Sequence, residues 1–102
     1  MNKRLHNKTA FITGAGSGIG KAIAQRFAKE GAKLALNDIN ETNLDQTIAE
    51  LRKQDVKCVK VLGDVSDEKT VKEMVKTVFD NFPNLDLLVN NAGITKDKIL
   101  TM

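Results

Sequence analysis

A glycine-rich turn between the first predicted strand and the first predicted helix is the part of the sequence best suited to bind a ligand. It reads Thr13-Gly14-Ala15-Gly16-Ser17-Gly18-Ile19-Gly20, with four glycines in its last seven residues. Glycine has no Cβ, so the backbone can turn sharply and approach a bulky anion closely. The helix that follows presents free N–H groups and the positive end of its dipole, which suits a pyrophosphate. The alternative is a flexible turn that binds nothing.

The spacing of the glycines distinguishes between nucleotide-binding motifs. A P-loop, G-x-x-x-x-G-K-[ST], would need a glycine in place of Ala15 and a serine or threonine in place of Ala22. The pattern G-x-G-x-x-G, started from Gly14, puts Ile19 where the third glycine belongs. The pattern that fits is T-G-x-x-x-G-x-G. This spacing resembles that of the short-chain dehydrogenase/reductase family, whose members bind NAD(H) or NADP(H) on a Rossmann sheet.

Polar residues follow each of the next three predicted strands. Asp38 ends the second strand, Gly63-Asp64-Val65 follows the third, and Asn90-Asn91-Ala92-Gly93 follows the fourth. In the family that the chain resembles, the position of Asp38 binds the adenosine ribose, and the positions of Asp64 and Val65 contact the adenine. The N-N-A-G segment of that family faces the cofactor and stabilises the central sheet. From the residues alone, Asp38 could instead cap a helix and Asp64 a loop. The resemblance implies that the cofactor-binding residues are Gly14, Gly16, Ser17, Gly18, Ile19, Gly20, Asp38, Asp64, Val65, Asn91, Ala92 and Gly93.

The charge of Asp38 bears on the choice of cofactor. At an effective dielectric of about 20 and a separation of about 5 Å, a carboxylate and the extra phosphate of NADP repel by about 3 kcal/mol before screening. Relatives that prefer NADP usually carry arginine or lysine just before the second glycine of the motif, where this chain has Ser17. Lys21 and Lys33 are near in sequence but occupy other positions. We therefore expect NAD to be preferred and NADP to be the second choice.

Apolar periodicity predicts the elements that position these residues. Strands are predicted over residues 9–13, 33–37, 58–62 and 85–89. Three helices are predicted between the strands. The first ends just before Gly31, the second is capped by Asn40, and the third is capped by Ser66 and ends at Pro83. The apolar face of the first helix is predicted at Ile19, Ile23 and Phe27, with Ala22, Ala24 and Ala28 beside them. The faces of the second and third helices are predicted at Leu44, Ile48 and Leu51, and at Val71, Val75, Val78 and Phe82.

The alternation predicts an α/β protein of order βαβαβαβ. Strands this apolar are buried on both faces, which indicates a parallel sheet covered by helices. The family resemblance implies a Rossmann-type doubly wound sheet with strand order 3-2-1-4, the N-terminal half of such a sheet. Residues 1–102 are expected to form a single NAD(P)-binding unit without an internal linker.

Composition excludes several classes of protein. No apolar run is long enough for a membrane helix or a signal peptide, so we expect a cytoplasmic protein with no membrane partner. The single cysteine, Cys58, fits a reducing compartment and is expected to be a packing residue rather than a reactive thiol. His6 is the only histidine, so no metal site is predicted. Scattered lysines and the lack of Tyr and Trp argue against nucleic acid.

The sequence contains no tyrosine. In the family, a tyrosine and a lysine spaced Y-x-x-x-K, with a serine and usually an asparagine, perform the chemistry, and they lie beyond the N-N-A-G loop. We therefore assign no catalytic residue. We expect the chain to be truncated before the catalytic half, inactive alone, and prone to associate through the open edge of its fourth strand.

The segment after the N-N-A-G motif gives a hint of the substrate. Ile94-Thr95-Lys96-Asp97, with Ile99 and Leu100, resembles the G-I-T-[RK]-D-x-[LIM]-L segment of 3-oxoacyl-[acyl-carrier-protein] reductases. Asp38 departs from the NADPH preference of that subgroup. The resemblance implies a homo-oligomer that acts on a carbonyl or alcohol, small or carried by an acyl carrier protein. The alternatives are an NAD-dependent sugar, polyol or alcohol dehydrogenase and a non-catalytic dinucleotide-binding module.

Overall fold

Four strands alternate with three helices in the part of the chain that the structure describes. The structure is a computed structural model and describes residues 3–92. The elements in chain order are β1 (Thr9–Ile12), α1 (Gly18–Lys29), β2 (Lys33–Asp38), α2 (Glu41–Arg52), β3 (Cys58–Leu62), α3 (Glu68–Asn81) and β4 (Leu87–Val89). The predicted order βαβαβαβ is confirmed.

All strand pairs of the sheet are parallel, and the spatial order is β3-β2-β1-β4. Ala10 of β1 lies opposite Leu34 of β2 on one side and Leu87 of β4 on the other. The chain therefore moves outward from β1 to β3 and then returns to the far side of β1. This is the Rossmann-type doubly wound arrangement that was predicted, with β4 at one edge of the described sheet.

Two apolar cores lie on opposite faces of the sheet, because successive side chains of a strand point to opposite sides. On one face, Ala10 and Ile12 of β1 pack with α1 and α2, where Leu44, Ile48 and Leu51 are buried as predicted. On the other face, Phe11 packs with α3 and with Val61 of β3. The helices therefore cover both faces of the sheet and hold the carboxyl ends of the strands in place.

The predicted apolar stripe of α1 is confirmed in part, since Ala24 and Ala28 are buried as predicted whereas Ala22 and the larger residues are not. Ile19 is 72% exposed, and Ile23 and Phe27 are only partly buried. The residues of α1 that are buried are the small ones, Gly20, Ala24 and Ala28. Small side chains allow the helix backbone to lie close to the sheet, and the larger side chains then fall at the flanks of the contact. The close approach of α1 brings its first turn next to the glycine-rich loop.

The limits of the last two elements also differ from the prediction. Asp67, rather than Ser66, is the N-cap of α3 and accepts a hydrogen bond from the Lys69 N–H. On the predicted apolar face of α3, Val71, Val78 and Phe82 are buried and Val75 is partly buried against the same core, which also contains Met74. β4 begins at Leu87, two residues later than predicted. Leu85 packs instead against the α3 core before the strand pairing starts.

Other local predictions are confirmed. The Asn40 side chain caps α2 by accepting from the Asn43 N–H at 3.0 Å, and Gly31 has a φ of +90° after α1. Cys58 is buried, and desolvation raises the pKa of its thiol to about 11, partly offset by Arg52. A thiol with so high a pKa is unreactive at neutral pH, as expected of a packing residue. Within residues 3–92, no helix combines the length and apolar character needed to cross a membrane.

Candidate dinucleotide-binding site

A cleft of about 160 Å³ opens at the carboxyl ends of the strands. It lies beside the point where the strand order reverses between β1 and β4, which is where ligands bind in open α/β sheets. All four loops that the sequence singled out contribute to its wall. The residues that line it are Gly14, Asn37, Asp38, Ile39, Gly63, Asp64, Val65 and Ala92.

The glycine-rich turn leads from this cleft into α1. Gly14 and Gly18 have φ values of +66° and +56°, in the region that favours glycine. The N-cap of α1, Ser17, makes no side-chain hydrogen bond to the helix, and the first turn carries no acidic residue. The N–H groups at the start of α1 are therefore open to an anion, and the dipole of the helix favours one there.

The turn is fastened to the end of β4 by the Asn91-Ala92 pair. Asn91 Nδ2 donates to Gly14 O at 3.2 Å, and Ala92 N donates to the hydroxyl of Thr13 at 3.0 Å. Thr13 is fully buried, and its own N–H donates to Val89 O at 3.1 Å. The predicted loop after the fourth strand is thus in direct contact with the turn. Gly93, also predicted, lies outside the described residues.

Asp38 bridges the turn and the start of α2. Its Oδ2 accepts from Gly16 N at 2.8 Å, and its Oδ1 accepts from Asn40 N at 2.9 Å. Asn40, and not Asp38, is therefore the N-cap of α2. The Asp38 carboxylate accepts a hydrogen bond from the backbone N–H of that cap residue. Each carboxylate oxygen can accept a further hydrogen bond, so the position also remains able to accept from a ribose hydroxyl in the cleft.

Asp64 stands at the edge of the same cleft but is bonded within its own loop. Its Oδ1 accepts from the N–H and from the hydroxyl of Ser66, at 2.9 Å and 2.8 Å. These donors hold the pKa of the Asp64 carboxyl below its usual value. Val65 beside it is half-buried against the α3 core. Both predicted residues therefore reach the cleft, Asp64 as a negative charge and Val65 as an apolar surface.

Asn37 is a site residue that the sequence analysis did not identify. It is 1% exposed, and its Nδ2 lies 2.8 Å from Val61 O, 3.1 Å from Gly63 O and 3.1 Å from Met74 Sδ. The amide ties the end of β2 to the end of β3 and to the loop that carries Asp64. The only sequence signal was a polar residue at the end of an otherwise apolar strand.

Two further residues were missed. Thr47 of α2 is fully buried, and its hydroxyl lies 3.4 Å from Gly16 O. Ile39 lines the cleft and is 68% exposed, an uncommon position for a large apolar side chain next to a polar cavity. In residues 3–92 no cluster of His, Cys, Asp and Glu is arranged to hold a metal ion.

Comparison with known proteins identifies relatives of this chain. A family model described as short chain dehydrogenase matches residues 8–101. The 3-oxoacyl-[acyl-carrier-protein] reductase FabG of Thermotoga maritima is 43% identical over 97 residues, which are 95% of this chain and 39% of that protein. The chain spans about a third of the length of the curated relatives that it matches.

Solved structures match the fold closely. A short chain dehydrogenase/reductase from Burkholderia phymatum in complex with NAD superposes with a TM-score of 0.81 at 36% identity, over 83% of this chain and 30% of that one. L-sorbose reductase from Gluconobacter frateurii, complexed with NADPH and L-sorbose, superposes with a TM-score of 0.85 at 39% identity. That match covers 91% of this chain and 36% of the reductase.

Proposed function

The chain belongs to the short chain dehydrogenase family, and on this basis we propose that it is the dinucleotide-binding unit of an NAD(P)-dependent oxidoreductase. The observation that carries the proposal is the meeting of the glycine-rich turn, Asp38, the Asp64 loop and Ala92 around one cleft. Structural relatives in complex with NAD and with NADPH support the class of cofactor. We propose that residues 1–102 act as a single unit in this role.

Each part of the cleft suits a different part of a dinucleotide. The open N–H groups at the start of α1, from Ser17 to Gly20, suit the pyrophosphate. Asp38 suits the hydroxyls of the adenosine ribose. Ile39 and Val65 offer apolar surface to the adenine ring, with Asp64 as an acceptor for its amino group. When bound, the nicotinamide supplies or accepts the hydride that interconverts a carbonyl and an alcohol.

The loop after β4 leads towards the nicotinamide end in this proposal. Asn91, Ala92 and Gly93 take the positions of the N-N-A-G motif that faces the cofactor in the family. The contacts of Asn91 and Ala92 to the turn support this for the two described residues. The 102 residues contain no tyrosine, so the proton-transfer tyrosine of the proposed enzyme lies outside them.

The preferred cofactor is NAD in this proposal, because the Asp38 carboxylate is fixed beside the ribose position. NADP would bring its extra phosphate next to that charge. Relatives that prefer NADP often neutralise the phosphate with an arginine or lysine at a position where this chain has the uncharged Ser17. Relatives with either cofactor occur, so the family alone does not decide between them. In this proposal the negative charge of Asp38 favours NAD.

The proposed substrate is a 3-oxoacyl group carried by an acyl carrier protein. The identity to the FabG protein of Thermotoga maritima supports it, as does the Ile94-Thr95-Lys96-Asp97 segment. A sugar or polyol is the second candidate, favoured by the match to L-sorbose reductase and by Asp38. An assay of the full-length protein with a 3-oxoacyl thioester and with a ketose distinguishes the two substrates. We also propose that the full-length protein is a homo-oligomer.

Titration of the full-length protein with NAD and NADP tests the proposal. We expect tighter binding of NAD, and we expect Asp38→Ala to lower the ratio of the two affinities by about tenfold or more. Asp80→Ala is the matched control, since it removes an equal charge at an exposed position near the end of α3, and it should leave the ratio unchanged. Tighter binding of NADP by the unaltered protein would contradict the cofactor assignment, and binding of neither would contradict the function.

A further inference from the structure

A hydrogen bond joins the middle of the glycine-rich turn to the carboxylate that is proposed to choose the cofactor. Gly16 N donates to Asp38 Oδ2 at 2.8 Å. Gly16 is buried, whereas Ser17, Gly18 and Ile19, which follow it, are exposed. The turn therefore has an inner part that faces the protein and an outer part that faces solvent.

The inner part of the turn is docked on β2 and α2. Ala15 N donates to Asn37 O at 2.7 Å, next to the Gly16 contact with Asp38. The carbonyl of Gly16 lies 3.4 Å from the hydroxyl of Thr47. Both backbone polar groups of Gly16 thus have partners within the protein, and its N–H, the group that could donate to a phosphate, is already bonded to Asp38.

Space, rather than backbone conformation, is what requires glycine at this position. Among the described residues, the glycines with positive φ are Gly14, Gly18, Gly31 and Gly63, and Gly16 is not one of them. A Cβ on Gly16 would lie 2.8 Å from Asp38 Oδ2 and 3.0 Å from Asp38 Cγ. It would also lie 3.0 Å from the Cβ of Asn43. Any side chain here must therefore push the Asp38 carboxylate away or distort its surroundings.

We propose that Gly16 is the positioning residue for Asp38 and thereby helps to set the preference for NAD over NADP. The Gly16 and Asn40 N–H groups hold one carboxylate oxygen each, so the charge cannot rotate away from an incoming 2′-phosphate. This role differs from the direct cofactor contact that the sequence resemblance implies for Gly16. The inference rests on the proposed function and names one residue that helps to set its cofactor preference.

The test is a double-mutant cycle of Gly16→Ala and Asp38→Ala in the full-length protein, with dissociation constants measured for NAD and NADP. We expect Gly16→Ala alone to weaken NAD binding by about tenfold, the size expected for disturbing a charge-assisted hydrogen bond, and to affect NADP less. In the Asp38→Ala background, we expect Gly16→Ala to change NAD binding by less than about twofold.

Two results of the cycle would overturn the inference. Equal weakening of NAD and NADP by Gly16→Ala would mean that the residue acts on a part that both cofactors share. A tenfold loss that persists in the Asp38→Ala background would mean that Gly16 acts on the cofactor or through Asn43. Thermal denaturation of each variant distinguishes these effects from a failure to fold.

An NMR measurement without cofactor separates this inference from the proposed function. We expect Asp38→Ala to move the amide proton of Gly16 upfield, because a carboxylate acceptor is removed. Asp45→Ala, an exposed carboxylate of α2, should leave that signal in place. An unmoved Gly16 amide in Asp38→Ala overturns the inference even if NAD binds, whereas a moved amide in a protein that binds no dinucleotide contradicts the proposed function alone.

Discussion

Two of the strand-to-helix loops that line the cleft are held in opposite ways. The β1–α1 turn, residues 13–17, is bonded to distant parts of the chain: Thr13 to Ala92, Gly14 to Asn91, Ala15 to Asn37, and Gly16 to Asp38 and Thr47. The β3–α3 loop, residues 63–67, bonds mainly within itself, through Asp64 to Ser66 and Asp67. Its first residue, Gly63, is the one tied to β2, through Asn37 and Asp38.

The difference shows which part of the cleft depends on the whole fold. The β1–α1 turn takes its shape only when β2, α2 and the end of β4 are all in place. The β3–α3 loop closes on itself through an aspartate turn, and it contacts the rest of the fold at Gly63 and through Val65, which packs against the α3 core. We therefore expect substitutions in the turn to affect folding and binding together, and substitutions around the loop to have smaller and more separable effects.

The largest expected effect comes from Gly20→Ala, which tests the tight packing of the turn. A Cβ on Gly20 would lie 2.0 Å from Gly14 O and 2.7 Å from Asn91 Nδ2. We expect the free energy of unfolding to fall by about 3 kcal/mol, and NAD affinity to fall with it. Chemical denaturation and NAD titration of the full-length protein measure both quantities.

The matched control for Gly20→Ala is Ala22→Leu, which adds atoms to an exposed position of the same helix. We expect this control to change stability by less than about 0.5 kcal/mol. Equal stability of the two variants would mean that the turn is not packed against Asn91 as described.

A smaller effect is expected from Asn37→Ala, which tests how the β3–α3 loop is anchored. Removal of the amide takes this donor away from the buried carbonyl of Val61 and from the partly buried carbonyl of Gly63. We expect a loss of about 1–3 kcal/mol in the free energy of unfolding, together with a modest loss of NAD affinity. Urea denaturation monitored by circular dichroism measures the first quantity.

Asn81→Ala serves as the control for Asn37→Ala, since Asn81 is exposed and its amide donates to the carbonyl of Thr77, one helical turn away in the same helix. If the two asparagine variants proved equally stable, the cross-strand role of Asn37 would be refuted.

Much of the fold was predictable because it depends on local periodicity. The apolar runs and the capping residue Asn40 give the elements directly, and β3 matches its predicted limits of Cys58 and Leu62. Where two neighbours could do the same task, the pattern failed: Ser66 and Asp67 are both good N-caps, and the structure uses Asp67. In α1 the predicted alanines Ala24 and Ala28 are buried but Ile19 is exposed, because the apolar pattern does not show that the helix packs through its small residues.

The site was predictable only in part. Asp38 and the glycines were predicted because their residue types and their places at strand ends match a known pattern, and the structure places Asp38 and Gly14 at the cleft. Asn37 and Thr47 were not found, because their meaning depends on partners that are distant in sequence, 24 positions away for Asn37 and Val61 and 31 for Thr47 and Gly16. The bond from Gly16 to Asp38 was missed for the same reason.

A crystal structure of the full-length protein with bound NAD tests the account most directly. We predict that the pyrophosphate lies at residues 17–20, that the adenosine ribose donates to Asp38, and that the adenine lies between Ile39 and Val65. NAD bound away from the carboxyl ends of the strands, or with its ribose out of hydrogen-bond reach of Asp38, would contradict it.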